Sequence, residues 1–259
     1  MKIKSSRALS VIVSALLCAG CAIKEYRASC PCRLVLDFSE VDASAVRSAD
    51  LFVTVPDGYV FTDYIGSEKF AKDYTAVVPR TVLQVNLMSG AGGLMSESGL
   101  RIPMGEDCPP VYMHSSTVNA VCEMWRETVW MRKNHCRVDI DVNADEGYRP
   151  WLRLVSDVCG YDVYGNPIEG DFESRKRVDE EYSCRFVLPR QTGDLMTLEI
   201  DEGDGILKRF SLGEYIASTG YDWNAPDLQD IHIELDFAVT QIVLRINGWD
   251  GEYKFDIVI

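Results

Sequence analysis

Residues 33 to 38 read Arg33-Leu34-Val35-Leu36-Asp37-Phe38. In an extended chain successive side chains point to opposite faces, so Leu34, Leu36 and Phe38 share one face and Arg33, Val35 and Asp37 the other, the pattern of a half-buried strand. The same period-two alternation returns at Leu51 to Val55, Tyr59 to Phe61, Thr75 to Val78 and Val82 to Leu87. Turn formers bound each segment: Pro56-Asp57-Gly58, Gly66, Pro79 and Ser89-Gly90-Ala91-Gly92-Gly93. Val118 to Arg132, Cys136 to Val142 and Trp151 to Val155 carry the alternation further. Short strands at this spacing predict an all-β chain of antiparallel sandwiches.

Between Tyr161 and Glu181 the composition shifts to Gly165-Asn166-Pro167, Gly170-Asp171 and a charged run from Glu173. A domain boundary is expected there, dividing residues 30–165 from 166–259. The second series of strands comprises Tyr182 to Leu188, Leu195 to Ile200, Ile206 to Phe210, Ile231 to Val239, Gln241 to Ile246 and Tyr253 to Val258. A short helix is expected at Leu212 to Ser218.

The first thirty residues belong to a different class. Lys2, Lys4 and Arg7 precede an apolar run from Ala8 to Leu17, the form of a secretion signal and too short to span a bilayer. Leu17-Cys18-Ala19-Gly20-Cys21 is similar to a bacterial lipobox, with Cys18 where the leucine of the commonest form stands. Residues 1–20 are then a lipoprotein signal peptide, Cys21 carries lipid and 21–29 form a linker. Several acyl chains together supply stable membrane anchoring. Removing residues 1–20 deletes three of the 26 basic residues and none of the 40 acidic ones, taking the net charge from −14 to −17. So acidic a chain is excluded as a nucleic-acid binder.

Seven further cysteines remain: Cys30, Cys32, Cys108, Cys122, Cys136, Cys159 and Cys184. Export favours disulfides, the odd number leaves at least one thiol, and sequence does not give the pairing. Cys30-Pro-Cys32 with His114 and His135-Cys136 offers zinc-type donors without the paired spacing of a zinc site, so disulfides or buried thiols are expected and no metal. Asp141-Val142-Asn143-Ala144-Asp145-Glu146-Gly147 begins as a calcium loop does but has Glu146 and Leu152 where glycine and the closing glutamate belong, and reads as an acidic turn. Ser89 to Gly93 lacks the ending of a phosphate loop and is expected to be a flexible connection. Asp201-Glu202-Gly203-Asp204-Gly205 reads as a hairpin turn.

No serine sits in a nucleophile elbow, His114 and His135 flank polar turns, and His232 alternates with Ile231 and Ile233 as an outward-facing residue. No catalytic residue, enzyme activity or cofactor is expected. Trp125 and Trp130 stand an odd number of positions apart and would face opposite sides of one strand.

Three features taken in order are similar to the fimbrium anchoring subunits of Bacteroidota, the lipoproteins at the base of type V pili. They are Cys21 in its lipobox, Cys30-Pro-Cys32 leading into Arg33 to Phe38, and the ending Ile242-Val243-Leu244-Arg245-Ile246-Asn247-Gly248-Trp249 before a last strand. The likeness spans the mature chain, including Phe210-Ser211-Leu212-Gly213-Glu214-Tyr215-Ile216. It implies two tandem transthyretin-like β-sandwich domains, an outer-membrane surface location through lipid on Cys21, and tethering of a fimbrial shaft subunit with limitation of shaft length. An exposed strand edge can be completed by another subunit, and the terminal alternation of Tyr253, Phe255, Ile257 and Ile259 marks the candidate contact strand, its alternative being an ordinary last strand. The rival reading is a surface lipoprotein that binds glycan or another ligand through loops and tryptophans.

Overall fold

The computed structural model describes residues 30–55, 58, 60–70, 73–201, 205–236, 241–246 and 252–256. The signal peptide and the lipid-bearing Cys21, with most of the linker, lie outside the described residues, as do Trp249, Ile257, Ile259 and most of the turn at 201–205. No helix among the described residues is long and apolar enough to cross a membrane.

The chain begins with β1 (Cys32–Asp37), β2 (Ala49–Thr54), β3 (Val60–Ile65), β4 (Tyr74–Val78) and β5 (Val82–Ser89), followed by the short β6 (Met95–Ser96) and β7 (Gly99–Arg101). Then come β8 (Tyr112–Asn119), β9 (Met124–Thr128) and β10 (Arg132–Lys133). These strands, β6 and β7 excepted, make a three-stranded sheet in the order β4-β1-β9 and a five-stranded sheet in the order β10-β8-β5-β2-β3. Leu34 and Leu36 of β1 and Val78 of β4 share one buried cluster with Leu51 and Val53 of β2, Leu83, Val85 and Leu87 of β5, and Val118 of β8. The two sheets are therefore stacked face to face, and each leucine so buried contributes on the order of 2 kcal/mol through loss of water contact.

The alternation expected from Val118 to Arg132 does not form one strand. The chain leaves the five-stranded sheet after Asn119, crosses over the edge of the core and pairs with β1 as β9 in parallel, Leu34 opposite Trp125. It returns at β10, which pairs with β8. Backbone bonds from Ala120 N–H to the Thr81 carbonyl and from Val129 N–H to the Asp37 carbonyl fix both crossings.

The remaining strands are β11 (His135–Asn143), β12 (Trp151–Tyr161), β13 (Pro167–Arg177), β14 (Ser183–Pro189), β15 (Thr197–Asp201), β16 (Ile206–Phe210), β17 (Ile231–Asp236), β18 (Gln241–Ile246) and β19 (Glu252–Asp256). Helix α1 (Leu212–Ser218) occupies the expected place between β16 and β17. One sheet runs β14-β11-β17-β18-β19 and the other β16-β15-β12-β7-β6, with β13 on the far side of β12. Val138 and Ile140 of β11, Phe186 of β14 and Ile233 of β17 meet Leu152 and Leu154 of β12, Phe172 of β13 and Leu198 of β15 in a second buried cluster. The architecture is all-β, with stacked sheets, as the alternation predicts; two pairings, β1 with β9 and β11 with β17, are parallel rather than antiparallel.

The segment expected to separate domains at residue 165 is a hairpin. β12 and β13 pair antiparallel from Trp151↔Arg177 to Tyr161↔Pro167. The turn between them is closed by Asp162, whose side chain accepts from the Tyr164 and Asn166 N–H groups at 2.9 and 2.8 Å. Gly-Asn-Pro is turn chemistry within one sheet, and the charges after it mark the exposed positions of a strand whose alternate residues, Phe172 and Ser174, are buried. By pairing, the second set of sheets takes its strands from residue 135 onward and also from 95–101.

The Ser89 to Gly93 stretch likewise departs from expectation. It is a packed corner rather than a flexible connection: Ala91 is buried in the second cluster. Gly90 has φ +87°, and a Cβ there would stand 2.1 Å from the Pro110 carbonyl oxygen. Only glycine fits so close a backbone approach.

Candidate functional site

Sheet edges are the first candidate, because an edge strand carries unpaired N–H and C=O groups. The expected contact strand is β19. It pairs antiparallel with β18 from Gln241↔Asp256 to Arg245↔Glu252 and ends its sheet. Tyr253 stands in the row of Leu244 and Ile233, and Phe255 in the row of Ile242 and Leu235. The strand is thus an integral member of its sheet, and what it offers a neighbour is its second backbone edge. Among the described residues no strand pairs with that edge.

All seven cysteines from Cys30 onward are thiols in this structure, so the disulfides expected of an exported chain are absent from it. Cys108, Cys136 and Cys159 are buried and turn their sulfurs to backbone carbonyls, Cys108 to Pro109 at 3.3 Å and Cys136 to Gln229 at 3.2 Å. Burial pushes the Cys136 and Cys184 thiols up to about 12, which keeps them protonated and inert. Cys32 and Cys122 differ: Cys122 packs against the buried cluster that contains Cys32, at the start of β1, and burial together with this neighbour raises the Cys32 thiol.

The histidines do not sit in polar turns. His114 is buried in β8, its Nδ1 accepting from the Trp130 N–H at 3.1 Å, and its Nε2 lies 3.5 Å from Glu127. His135 opens β11, buried, with Nδ1 3.0 Å from the Val111 carbonyl. Desolvation holds both below the ordinary histidine range, against the pull of Glu127 on His114. His232 does point outward, 3.3 Å from Asp141. Residues 141–147 end β11 and close a turn in which Tyr148 N–H donates to the Asp145 carbonyl. Among the described residues no three histidine, cysteine or acidic side chains gather in a metal-holding arrangement.

The outer face of the β13-β12-β15 strands carries an arrangement that the sequence reading missed. Arg153 donates to Glu173 at 2.6 Å and to Glu199 at 2.7 Å, and Arg209 donates to the other oxygen of Glu199. Hydrogen bonding from Arg153 holds the Glu173 carboxyl below its usual range. One row along, Arg175 bonds Asp201 at 2.6 Å and lies over the Trp151 ring at 4.6 Å. Trp151 forms the wall of a cleft of about 370 Å³ completed by Tyr148, Arg149, Pro150, Arg177 and Asp201. Period-two spacing of Trp151, Arg153 and Val155 signals an exposed row, but the opposing charges come from β13 and β15, and only the register brings them together. A second cleft of about 340 Å³ lies between Thr54, Val55 and Gln84 of the first sheets and Tyr164 and Asn166 of the β12–β13 turn. Of the other tryptophans, Trp130 is exposed beneath the Arg132 guanidinium, whereas Trp125 packs on the first core.

No protein-family model matches the sequence, and no curated protein matches it. Solved structures do share its fold. The fimbrial anchor protein Mfa2 of Porphyromonas gingivalis superposes with a TM-score of 0.60 at 14% identity, over 85% of this chain and 98% of that one. A Bacteroides thetaiotaomicron protein provisionally described as polysaccharide-binding gives 0.62 at 14% identity over 87% and 98%. A fimbrial assembly protein of Parabacteroides distasonis gives 0.51 at 11% identity over 88% and 100%. The fold of this chain is that of solved fimbrial anchor and assembly proteins of the Bacteroidota.

Proposed function

We propose that the protein is a surface lipoprotein of the outer membrane that anchors a fimbrial shaft and limits its length, with lipid on Cys21 as the tether and a non-covalent strand contact to a shaft subunit. The observation that carries this reading is the fold shared with a fimbrial anchor protein over 85% of this chain and 98% of that one. The lipobox-like Cys18-Ala19-Gly20-Cys21 accords with it, as do the two buried cores, which we take as those of two transthyretin-like sandwiches. The reading gives the protein no catalytic role and no cofactor.

The test is a pull-down of the tagged protein from outer membranes in mild detergent, with mass spectrometry of the chains that accompany it. Recovery of a β-sandwich shaft subunit, together with shed or overlong fimbriae in a deletion strain, supports anchoring. Intact fimbriae and recovery of the protein alone would sink it. The cleft at Trp151 favours a second reading, glycan binding, since an aromatic wall beside arginine and carboxylate groups suits a sugar ring and its hydroxyls. Under that reading Trp151→Ala abolishes glycan capture and leaves fimbrial length unchanged.

A further inference from the structure

Cys32 opens β1 and is fully buried, while Cys122 lies half-buried in the crossover between β8 and β9. β1 and β9 run parallel with Arg33 opposite Met124. The Arg33 N–H donates to the Glu123 carbonyl at 2.9 Å, which holds the crossover alongside the first residues of β1. Cys122 packs against the buried cluster to which Cys32 belongs, near enough to add to the burial that keeps the Cys32 thiol protonated, and Cys122 Sγ donates to the Met124 carbonyl at 3.2 Å. Cys30, two residues before Cys32, is exposed.

We propose that Cys32 and Cys122 are an oxidisable pair that closes to a disulfide, clamping the first strand of the fold to the β8–β9 crossover. The co-reactant is a disulfide of the thiol-exchange class. The half-buried Cys122, as thiolate, attacks one sulfur of that disulfide, forming a mixed disulfide and releasing one thiolate. The Cys32 sulfur, on losing its proton to solvent, then attacks Cys122, and the second thiolate leaves. Both protein thiols are oxidised by two electrons in all, the co-reactant is reduced to two thiols, and the two protons pass to these products. Burial keeps Cys32 protonated until the mixed disulfide stands next to it, so the half-buried Cys122 reacts first.

A bridge from 32 to 122 closes a long loop, and long loops gain most from crosslinking because the unfolded chain loses most freedom. It also ties the entry strand, the first element after the expected lipid tether, to the crossover that leads into β9, its neighbour in the sheet. The bond is a property of the folded chain and does not depend on the anchoring role.

The experiment equilibrates the purified full-length chain, in mild detergent, with mixtures of oxidised and reduced glutathione, then alkylates it and maps its peptides. The expected result is a crosslinked peptide joining Cys32 to Cys122 in oxidising mixtures, with a rise of about 5–10 °C in the unfolding midpoint that dithiothreitol reverses. Cys122→Ser removes the redox response of the midpoint and Cys30→Ser keeps it. Both thiols remaining alkylatable in every mixture would overturn the proposal. So would a bridge from Cys122 to Cys30, or an unchanged redox response in Cys122→Ser. Should that variant fail to fold, the peptide map of the unaltered chain decides the matter.

Discussion

His114 and His135 are held neutral by the core, and this sets a pH dependence. Desolvation lowers both below the 6.5 of a free imidazole, so the unfolded chain takes up protons at a pH where the folded one does not. Their contribution is fully present above 6.5 and is lost as pH falls from there toward the folded values. The carboxylates of Asp37, Asp42 and Asp179, lowered by hydrogen bonds from the backbone and side chains of Ser39, Ser44 and Ser183, act in a separate window below 3.8. The urea midpoint is therefore expected to fall between about pH 7.5 and about pH 5.5, and replacing both histidines with glutamine is expected to flatten that slope. A midpoint level across this range in the unaltered protein would contradict it. At this scale the sequence was legible only in part. His232 could be placed outward because its neighbours alternate within one strand. His114 and His135 could not be placed, because the groups that meet them, the Trp130 N–H and Glu127 for His114 and the Val111 carbonyl for His135, come from across the fold rather than along the strand.

Among the elements, β12 is the one on which the most pairing depends. It holds β13 along one side and both β15 and β7 along the other. The join to β7 rests on two glycines. A Cβ on Gly160 would stand 2.0 Å from the Leu100 carbonyl oxygen, and one on Gly99 would stand 2.2 Å from the Tyr161 carbonyl oxygen. Gly160→Ala is expected to push β7 away and cost about 2–4 kcal/mol in denaturant unfolding, with faster hydrogen exchange at Ile102, whose N–H bonds the Cys159 carbonyl at 2.8 Å. A change below about 0.5 kcal/mol would mean that the join yields without loss. The longer strands were readable from alternation alone. β6 and β7 were not, because three residues or fewer give no period. β13 gives little strand signal of its own, because Glu173 to Glu181 is charged at its exposed positions. Its buried partners, Phe172 and Ser174, count as core only once β12 is known to lie beside it.

Across the whole molecule the two cores are not separate bodies joined by a linker. Met88 and Met113 belong to β5 and β8 of the first sheets, yet their side chains are buried in the second cluster, as are Ala91 and Leu100 between them. Asn86, fully buried in β5, donates to the Val163 carbonyl of the β12–β13 turn at 3.1 Å and accepts from Ser115 at 2.7 Å. Lys133 of β10 pairs with Asp230 at 2.5 Å, and the Leu228 N–H bonds the Lys133 carbonyl. A chain stitched in this way is expected to unfold in a single calorimetric transition, and residues 30–133 alone are not expected to fold, since Met88 and Met113 would then present apolar surface to water. Asn86→Ala removes the donor to Val163 and strands the Ser115 hydroxyl, which costs about 1–3 kcal/mol, lowering that one transition without splitting it. Two resolved transitions in the unaltered protein, or a stable 30–133 fragment, would show that the cores are independent. The distinction bears on the proposed tether. A body that unfolds only as a unit transmits a pull entering at β1 to the β19 edge through packed sheets, whereas two independent cores would yield in turn at the joint between them.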